Sequence, residues 1–169
     1  MRLALAEGEI ALQKQEIPVG CVFIGPGDVV VARGSNRTNE LRNGTSHAEM
    51  NAINQAAESG LGADSFLNCE LFVTCEPCIM CAAAISRLGI KRVVFGCSND
   101  RFGGNGSILD VHEDGASLDG YHSYEVVSGV LSDEAIEMFQ RFYVTENKRA
   151  PIGKRKRKNV GSEGTAKKA

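Results

Sequence analysis

No run of this 169-residue sequence stays apolar for the ~20 residues a helix needs to cross a bilayer, so no membrane span is expected. No apolar leader opens it either. Met1-Arg2-Leu3-Ala4-Leu5 runs straight into an amphipathic pattern instead of a secretory signal. A G-x-x-x-x-G-K-[ST] loop is missing too, so the glycine-rich run Gly103-Gly104-Asn105-Gly106 is no phosphate cradle but a flexible turn or a substrate-adjacent loop. Histidine is scarce, at three residues. Two of them, His112 and His122, fall in an irregular stretch and read as exposed loop residues. The six cysteines come without a secretion signal, which places them in a reducing compartment with no disulfides. What is present is ordinary for a globular chain: 43% hydrophobic, 24% charged, and the length of one domain with a real core.

Charge is divided unevenly. Residues 1–147 hold ten basic against twenty acidic side chains, whereas residues 148–169 hold nine basic and a single acid, Glu163. An acidic body with a basic appendage marks either a polyanion-binding element or a nuclear address. The expected organisation is a folded domain over 1–147 and a disordered tail over 148–169. In that tail Lys154, Arg155, Lys156, Arg157 and Lys158 are the candidate contacts to nucleic-acid phosphates. Location in the nucleus, the cytoplasm or both follows from the same composition.

Along the chain, Leu3, Ala6 and Ile10 recur at helical spacing over 1–14, with Glu7, Gln13 and Lys14 outward. Val19–Ile24 and Val29–Ala32 read as a hairpin about Gly25-Pro26-Gly27-Asp28. Thr45 or Ser46 is placed to cap a helix from His47 to Ser59, and residues 60–68 read as linker. Leu71–Thr74 is a short apolar strand that delivers Cys75 and Glu76. Pro77 suits the first turn of a helix running to Leu88. Arg92–Gly96 is a continuous apolar run suited to a buried parallel strand. Tyr124–Val127 reads as an edge strand. A last helix runs from Ser132 to about Glu146, with Ile136, Phe139, Gln140 and Tyr143 on one face. Strands and helices alternating in this way predict an α/β sandwich with helices on both faces of one sheet.

Chemistry concentrates in two stretches, His47-Ala48-Glu49 and Pro77-Cys78-Ile79-Met80-Cys81. Cys78 and Cys81 lie one turn apart on a helix, so their sulfurs share a face. With His47 they make three ligands for a borderline-soft ion such as Zn2+, the number a catalytic zinc uses while its fourth position stays open for water. Glu49 is left over, and a carboxylate beside such a site is a proton carrier. Helix geometry sets His47 and Glu49 about 200° apart, so His47 must stand at the very start of its helix. Three other readings compete. Cys75 could complete a closed Cys3His structural zinc site, which would leave Glu49 and Pro77 without a task. A redox C-x-x-C pair would not come with a matched H-x-E. Cys75, ending its strand, otherwise packs as a small apolar residue.

H-x-E followed by P-C-x-x-C is the pattern of zinc nucleobase deaminases. Together with Pro18-Val19-Gly20, Gly34-Ser35-Asn36 and Val93-Val94-Phe95-Gly96, it resembles the tRNA-specific adenosine deaminases that convert wobble adenosine to inosine. The resemblance covers residues 1 to about 147. It implies a three-layer α/β/α sandwich with a central mixed sheet of the cytidine deaminase type. It also implies zinc held by His47, Cys78 and Cys81, proton transfer by Glu49, and a tRNA substrate. Asn36 then bonds the nucleoside, Val19 walls the base pocket and Ala48 offers a backbone N–H near the metal. For Asn36 a turn-forming role is the plain alternative. The Arg101-Phe102-Gly103-Gly104 loop and the basic tail resemble the eukaryotic catalytic subunit, which implies a heterodimer with a catalytically silent paralogue. Open alternatives are a free cytidine or nucleobase deaminase, a bacterial-style homodimer and a structural zinc protein.

Overall fold

The expected hairpin forms around Pro26–Asp28, and the sheet grows outward from it. The computed structural model describes residues 1–114 and 117–144. The elements run α1 (Arg2–Gln13), β1 (Gly20–Gly25), β2 (Val29–Ser35), α2 (Ala48–Glu58), β3 (Glu70–Cys75), α3 (Ile79–Ser86), β4 (Arg92–Cys97), α4 (Val111–Asp114), β5 (Glu125–Val127) and α5 (Ser132–Val144). The sheet order is β2-β1-β3-β4-β5. Strand β1 is antiparallel to both neighbours, while β3, β4 and β5 are parallel. The sheet is therefore mixed, as the resemblance implied, and β5 is an edge.

Alternation along the strands separates two packed layers. Cys21 and Phe23 of β1, Leu71 and Val73 of β3, and Val93 and Phe95 of β4 join the main core with Ala48, Ala52 and Ala56 of α2 and Cys81 and Ile85 of α3. The intervening residues Val22 and Val94 face the other side, where the buried residues are Ala4 and Ala11 of α1 and Ala135 and Met138 of α5. This three-layer arrangement places the N-terminal ends of α2 and α3 side by side over one end of the sheet.

Several expectations need correction. Helix α1 buries Ala4, Glu7, Gly8 and Ala11, not Leu3 and Ile10, which are exposed. The helix sits so close to the sheet that a Cβ on Gly20 would lie 2.1 Å from the Gly8 nitrogen and 2.4 Å from the Ala4 carbonyl oxygen. Only small residues fit that contact, so the bulky apolar side chains turn outward, and Glu7 lies 3.7 Å from Arg33. In α5 the buried face is Ala135 and Met138, with Ile136 and Tyr143 exposed. Residues 60–68 are more than linker: Phe66 is 2% exposed and meets Phe23 edge to face at 4.9 Å. His112 is also no exposed loop residue, because its ring packs against Tyr124 at 5.6 Å. His122 is exposed, as expected. All six cysteines are free thiols. No helix among the described residues is long and apolar enough to cross a membrane. The last residues of the expected final helix, the 147/148 boundary and the basic segment Lys154–Lys158 lie outside the described residues.

Candidate active site

The site is built from the two neighbouring helix starts. Neither Thr45 nor Ser46 caps α2. The N-cap is His47 itself, with extended backbone (φ −73°, ψ 164°) and no capping bond from its side chain, so the imidazole is free to turn away from its own helix. This removes the 200° conflict, because His47 is not yet on the helical spiral. Its position is fixed from behind. Asn51 Nδ2 donates to Ser35 O (2.8 Å) and Ser46 O (3.0 Å), tying the end of β2 to the segment ahead of His47. Helix α2 presses onto β2 at Gly34, where a Cβ would lie 2.3 Å from the Ala48 carbonyl oxygen. Gly34 in the Gly34-Ser35-Asn36 stretch is thus a requirement of close approach. Ala48 is the first residue of α2, so its N–H is one of the free amides of that helix end.

Helix α3 repeats the arrangement. Pro77 precedes the helix instead of opening it, and Cys78 is the N-cap, again extended (φ −68°, ψ 165°) and without a capping bond. Cys81 follows as the third helical residue, fully buried. His47 Nδ1 lies 3.4 Å from Cys78 Sγ and 3.6 Å from Cys81 Sγ. The three ligand atoms all lie within 4.8 Å of one another. One ion about 2.0–2.3 Å from each fits between them, and two sulfurs with one imidazole nitrogen are donors that zinc accepts. Cys75 is not in the cluster, which leaves the Cys3His reading without its fourth ligand. It is half-buried in the cleft wall, in register with Cys97, rather than packed in the core.

Electrostatics follow from the packing. The Cys78 thiol is held down to about 4 by the hydrogen bond from Cys81 and by His47 beside it. Cys81 is pushed up by the same bond and by burial. The hydrogen bond with Cys78 raises His47. Glu49, 3% exposed, is raised chiefly by burial and shares a hydrogen bond with the Cys81 thiol.

The cluster opens into a cleft of about 580 Å³, within the usual size of small-molecule sites. His47, Glu49 and Cys78 line it together with Val19, Asn36, Arg101, Phe102, Phe139 and Tyr143. The loop that the sequence left undecided therefore reaches the site through Arg101 and Phe102. The sequence also gave no role to the residue that holds this loop in place. Glu76 is 2% exposed, and its carboxylate accepts from the backbone amides of Asn99 (2.9 Å), Asn105 (3.0 Å) and Ser107 (3.1 Å) and from the Ser107 hydroxyl. Burial pushes its carboxyl up, but these donors outweigh burial and leave it below the ordinary value of 4.5. The residue's place between a strand end and Pro77-Cys78 was the available signal.

A depressed carboxyl stabilises the fold above its unfolded pKa and loses that contribution as pH falls through its folded value. Glu76→Gln is therefore expected to destabilise by about 2–3 kcal/mol at neutral pH, roughly 5–10 °C in melting temperature. Urea titrations of both proteins should show the gap closing below about pH 4.5. An equal gap at all pH values would mean that the carboxylate is not what holds the loop.

Comparison with known proteins gives consistent relatives. Residues 1–97 match the family model described as the cytidine and deoxycytidylate deaminase zinc-binding region. The chain is similar to the tRNA-specific adenosine deaminase subunit tad2 of Schizosaccharomyces pombe, at 44% identity over 160 residues, covering 95% of this chain and 40% of that protein. It therefore spans less than half of that relative. It is also similar to tRNA-specific adenosine deaminase 2 of Xenopus laevis, at 42% identity over 163 residues, covering 94% of this chain and 92% of that one. Among solved structures, one from studies of A-to-I editing by tRNA:A34 deaminases at the wobble position of transfer RNA superimposes with a TM-score of 0.71. Its sequence identity is 36%, and the superposition covers 82% of this chain and 96% of that one.

Proposed function

Because the chain belongs to the tRNA-specific adenosine deaminases, within the cytidine and deoxycytidylate deaminase zinc-binding family, we propose that its cleft converts adenosine to inosine at the wobble position of tRNA anticodons. The single observation that carries this reading is geometric. Three zinc ligands leave a fourth position open, and a spare buried carboxylate, Glu49, lines the same cleft as His47 and Cys78.

His47, Cys78 and Cys81 would hold zinc, which would supply a Lewis acid that makes water a nucleophile near neutral pH. Glu49 is the catalytic acid–base. It takes the proton of the attacking water, places it on the purine ring nitrogen and returns a proton to the departing amine, so that adenosine and water give inosine and ammonia. Burial suits it to the task, because a carboxyl raised above its ordinary value accepts a proton more readily. Val19 and Asn36 bound the nucleoside, and the Ala48 N–H is one of the free amides at the start of α2, whose dipole favours negative charge. Phe102 and Tyr143 at the rim offer rings for flanking unstacked bases, and Arg101 offers a phosphate contact. A closed structural zinc site would give none of these groups a use.

The substrate is a polyanion, while residues 1–147 carry a net charge of −10. Like charges raise the cost of encounter. We therefore assign the remaining RNA-binding surface to the basic residues Lys154–Lys158 and to a catalytically silent paralogous subunit. Helix α3 does not offer Ala82-Ala83-Ala84-Ile85 as a face for that partner, because Ala82 and Ile85 are fully buried in the chain's own core. The exposed apolar surface nearby that does not line the cleft is Ile108 and Leu109, whose loop docks on the start of α3. That patch is the better candidate for the partner.

The test is inosine formation on whole tRNA by the zinc-loaded chain, alone and with a paralogous partner, with free cytidine and guanine assayed in parallel. Activity on tRNA is expected only with the partner, falling steeply with salt. Full tRNA activity from the isolated chain would replace the heterodimer with a homodimer. Ammonia from the free cytidine or guanine would replace the substrate.

A further inference from the structure

Glu16 is fully buried yet does not line the cleft. Its carboxylate gathers the loop that follows β2. Oε2 accepts from Asn36 Nδ2 (3.2 Å), the Thr38 hydroxyl (3.3 Å), Asn39 N (3.1 Å) and Asn39 Nδ2 (3.0 Å), and Oε1 accepts from Glu40 N (2.6 Å). The consequence falls on Asn36, which is 4% exposed and reaches the cleft.

A carboxamide offers two protons on Nδ2 and lone pairs on Oδ1. One Nδ2 proton of Asn36 goes to Glu16. The other goes to Thr38 Oγ1 at 3.2 Å, which is free to accept because its own proton is given to Glu16. Both donors are thus spent inside the protein. Nothing among the described residues donates to Oδ1. The end-for-end alternative would point Oδ1 at a carboxylate and a committed hydroxyl, so the orientation is fixed by Glu16. The cleft therefore sees an acceptor and no donor from Asn36.

We propose that Glu16 is a positioning residue that locks Asn36 as an acceptor, and that this acceptor reads the 2′-hydroxyl of the target nucleoside. The proposal rests on the functional reading above. Within an RNA chain the 3′ and 5′ oxygens of adenosine are esterified, and its unsubstituted ring nitrogens are acceptors. Only the exocyclic amine and the 2′-hydroxyl can donate, and the amine is the group lost at the zinc ligands. The 2′-hydroxyl is left to meet Oδ1, and it is also the group that separates RNA from DNA.

The experiment uses the active, zinc-loaded enzyme and two anticodon stem–loops that differ only in adenosine or 2′-deoxyadenosine at the reactive position. The native enzyme should lose about tenfold in kcat/KM on the deoxy substrate, mainly through KM, the equivalent of one hydrogen bond. Asn36→Ala should be equally poor on both. Glu16→Gln should bring the ribose-to-deoxyribose ratio within about twofold, with zinc content and kcat near native. If Glu16→Gln does not fold, Thr38→Val decides, with a ratio expected to fall to about threefold. A ratio still near tenfold in either variant, or no discrimination by the native enzyme, would overturn the proposal. If the native enzyme makes no inosine from either stem–loop, the functional reading fails instead, and the ratio of their binding affinities still reports the 2′-hydroxyl contact.

Discussion

Glu49→Ala leaves a folded, zinc-loaded protein whose deamination rate falls by about 10²–10⁴, the range of a lost general acid–base. Stability should barely change. Burying a carboxyl costs free energy unless hydrogen bonds offset it, and the bonds to Glu49, from its own backbone amide and with Cys81, do not outweigh its burial. Alanine is also a good residue for the first turn of α2. The measurements are kcat on a tRNA substrate, zinc per chain by elemental analysis and a thermal melt. Loss of zinc together with activity would make Glu49 a ligand and remove the proton carrier from the mechanism.

Cys78→Ala separates in the opposite sense. It should abolish activity and drop zinc well below one per chain, since His47 and Cys81 alone make a poor site. It should also lower the melting temperature, because the ion joins the starts of α2 and α3 and binding free energy is folding free energy at such a site. The control is the native chain stripped of metal by a chelator, which should melt close to Cys78→Ala. A Cys78→Ala protein that retains one zinc per chain would mean that other residues hold the ion.

The fold class and the His47, Cys78 and Cys81 cluster were legible in the sequence. H-x-E and P-C-x-x-C are local patterns tied to ligand chemistry, and the structure brings their side chains together without further help. What they could not show is how His47 and Glu49 share one cleft, because that depends on the backbone of a cap residue and not on residue type. The parallel strand Arg92–Cys97 was legible because both of its faces are buried, so its apolar run is unbroken. The faces of α1 and α5 were misread for a converse reason. Side-chain bulk is a guide to burial only where the facing surface has room, and at Gly20 and Gly96 the sheet admits only small residues. Glu16 and Glu76 escaped because a buried acid is recognised by its donors, and those donors include backbone amides 23 to 31 residues away, which no pattern of residue types encodes.

These two carboxylates also set a time scale. Loop amides ordinarily exchange their hydrogens with solvent quickly, since nothing restrains the segments that carry them. Here the amides of Asn39 and Glu40, in the loop that begins with Asn36, and of Asn99, Asn105 and Ser107, in the loop that carries Arg101 and Phe102, end on a buried carboxylate. Each loop is thereby fastened at its own carboxylate, and among the described residues no hydrogen bond joins the two loops. In deuterium labelling both loops should then behave like strands, each releasing its protection as a separate unit, so that one wall of the cleft can open while the other stays shut.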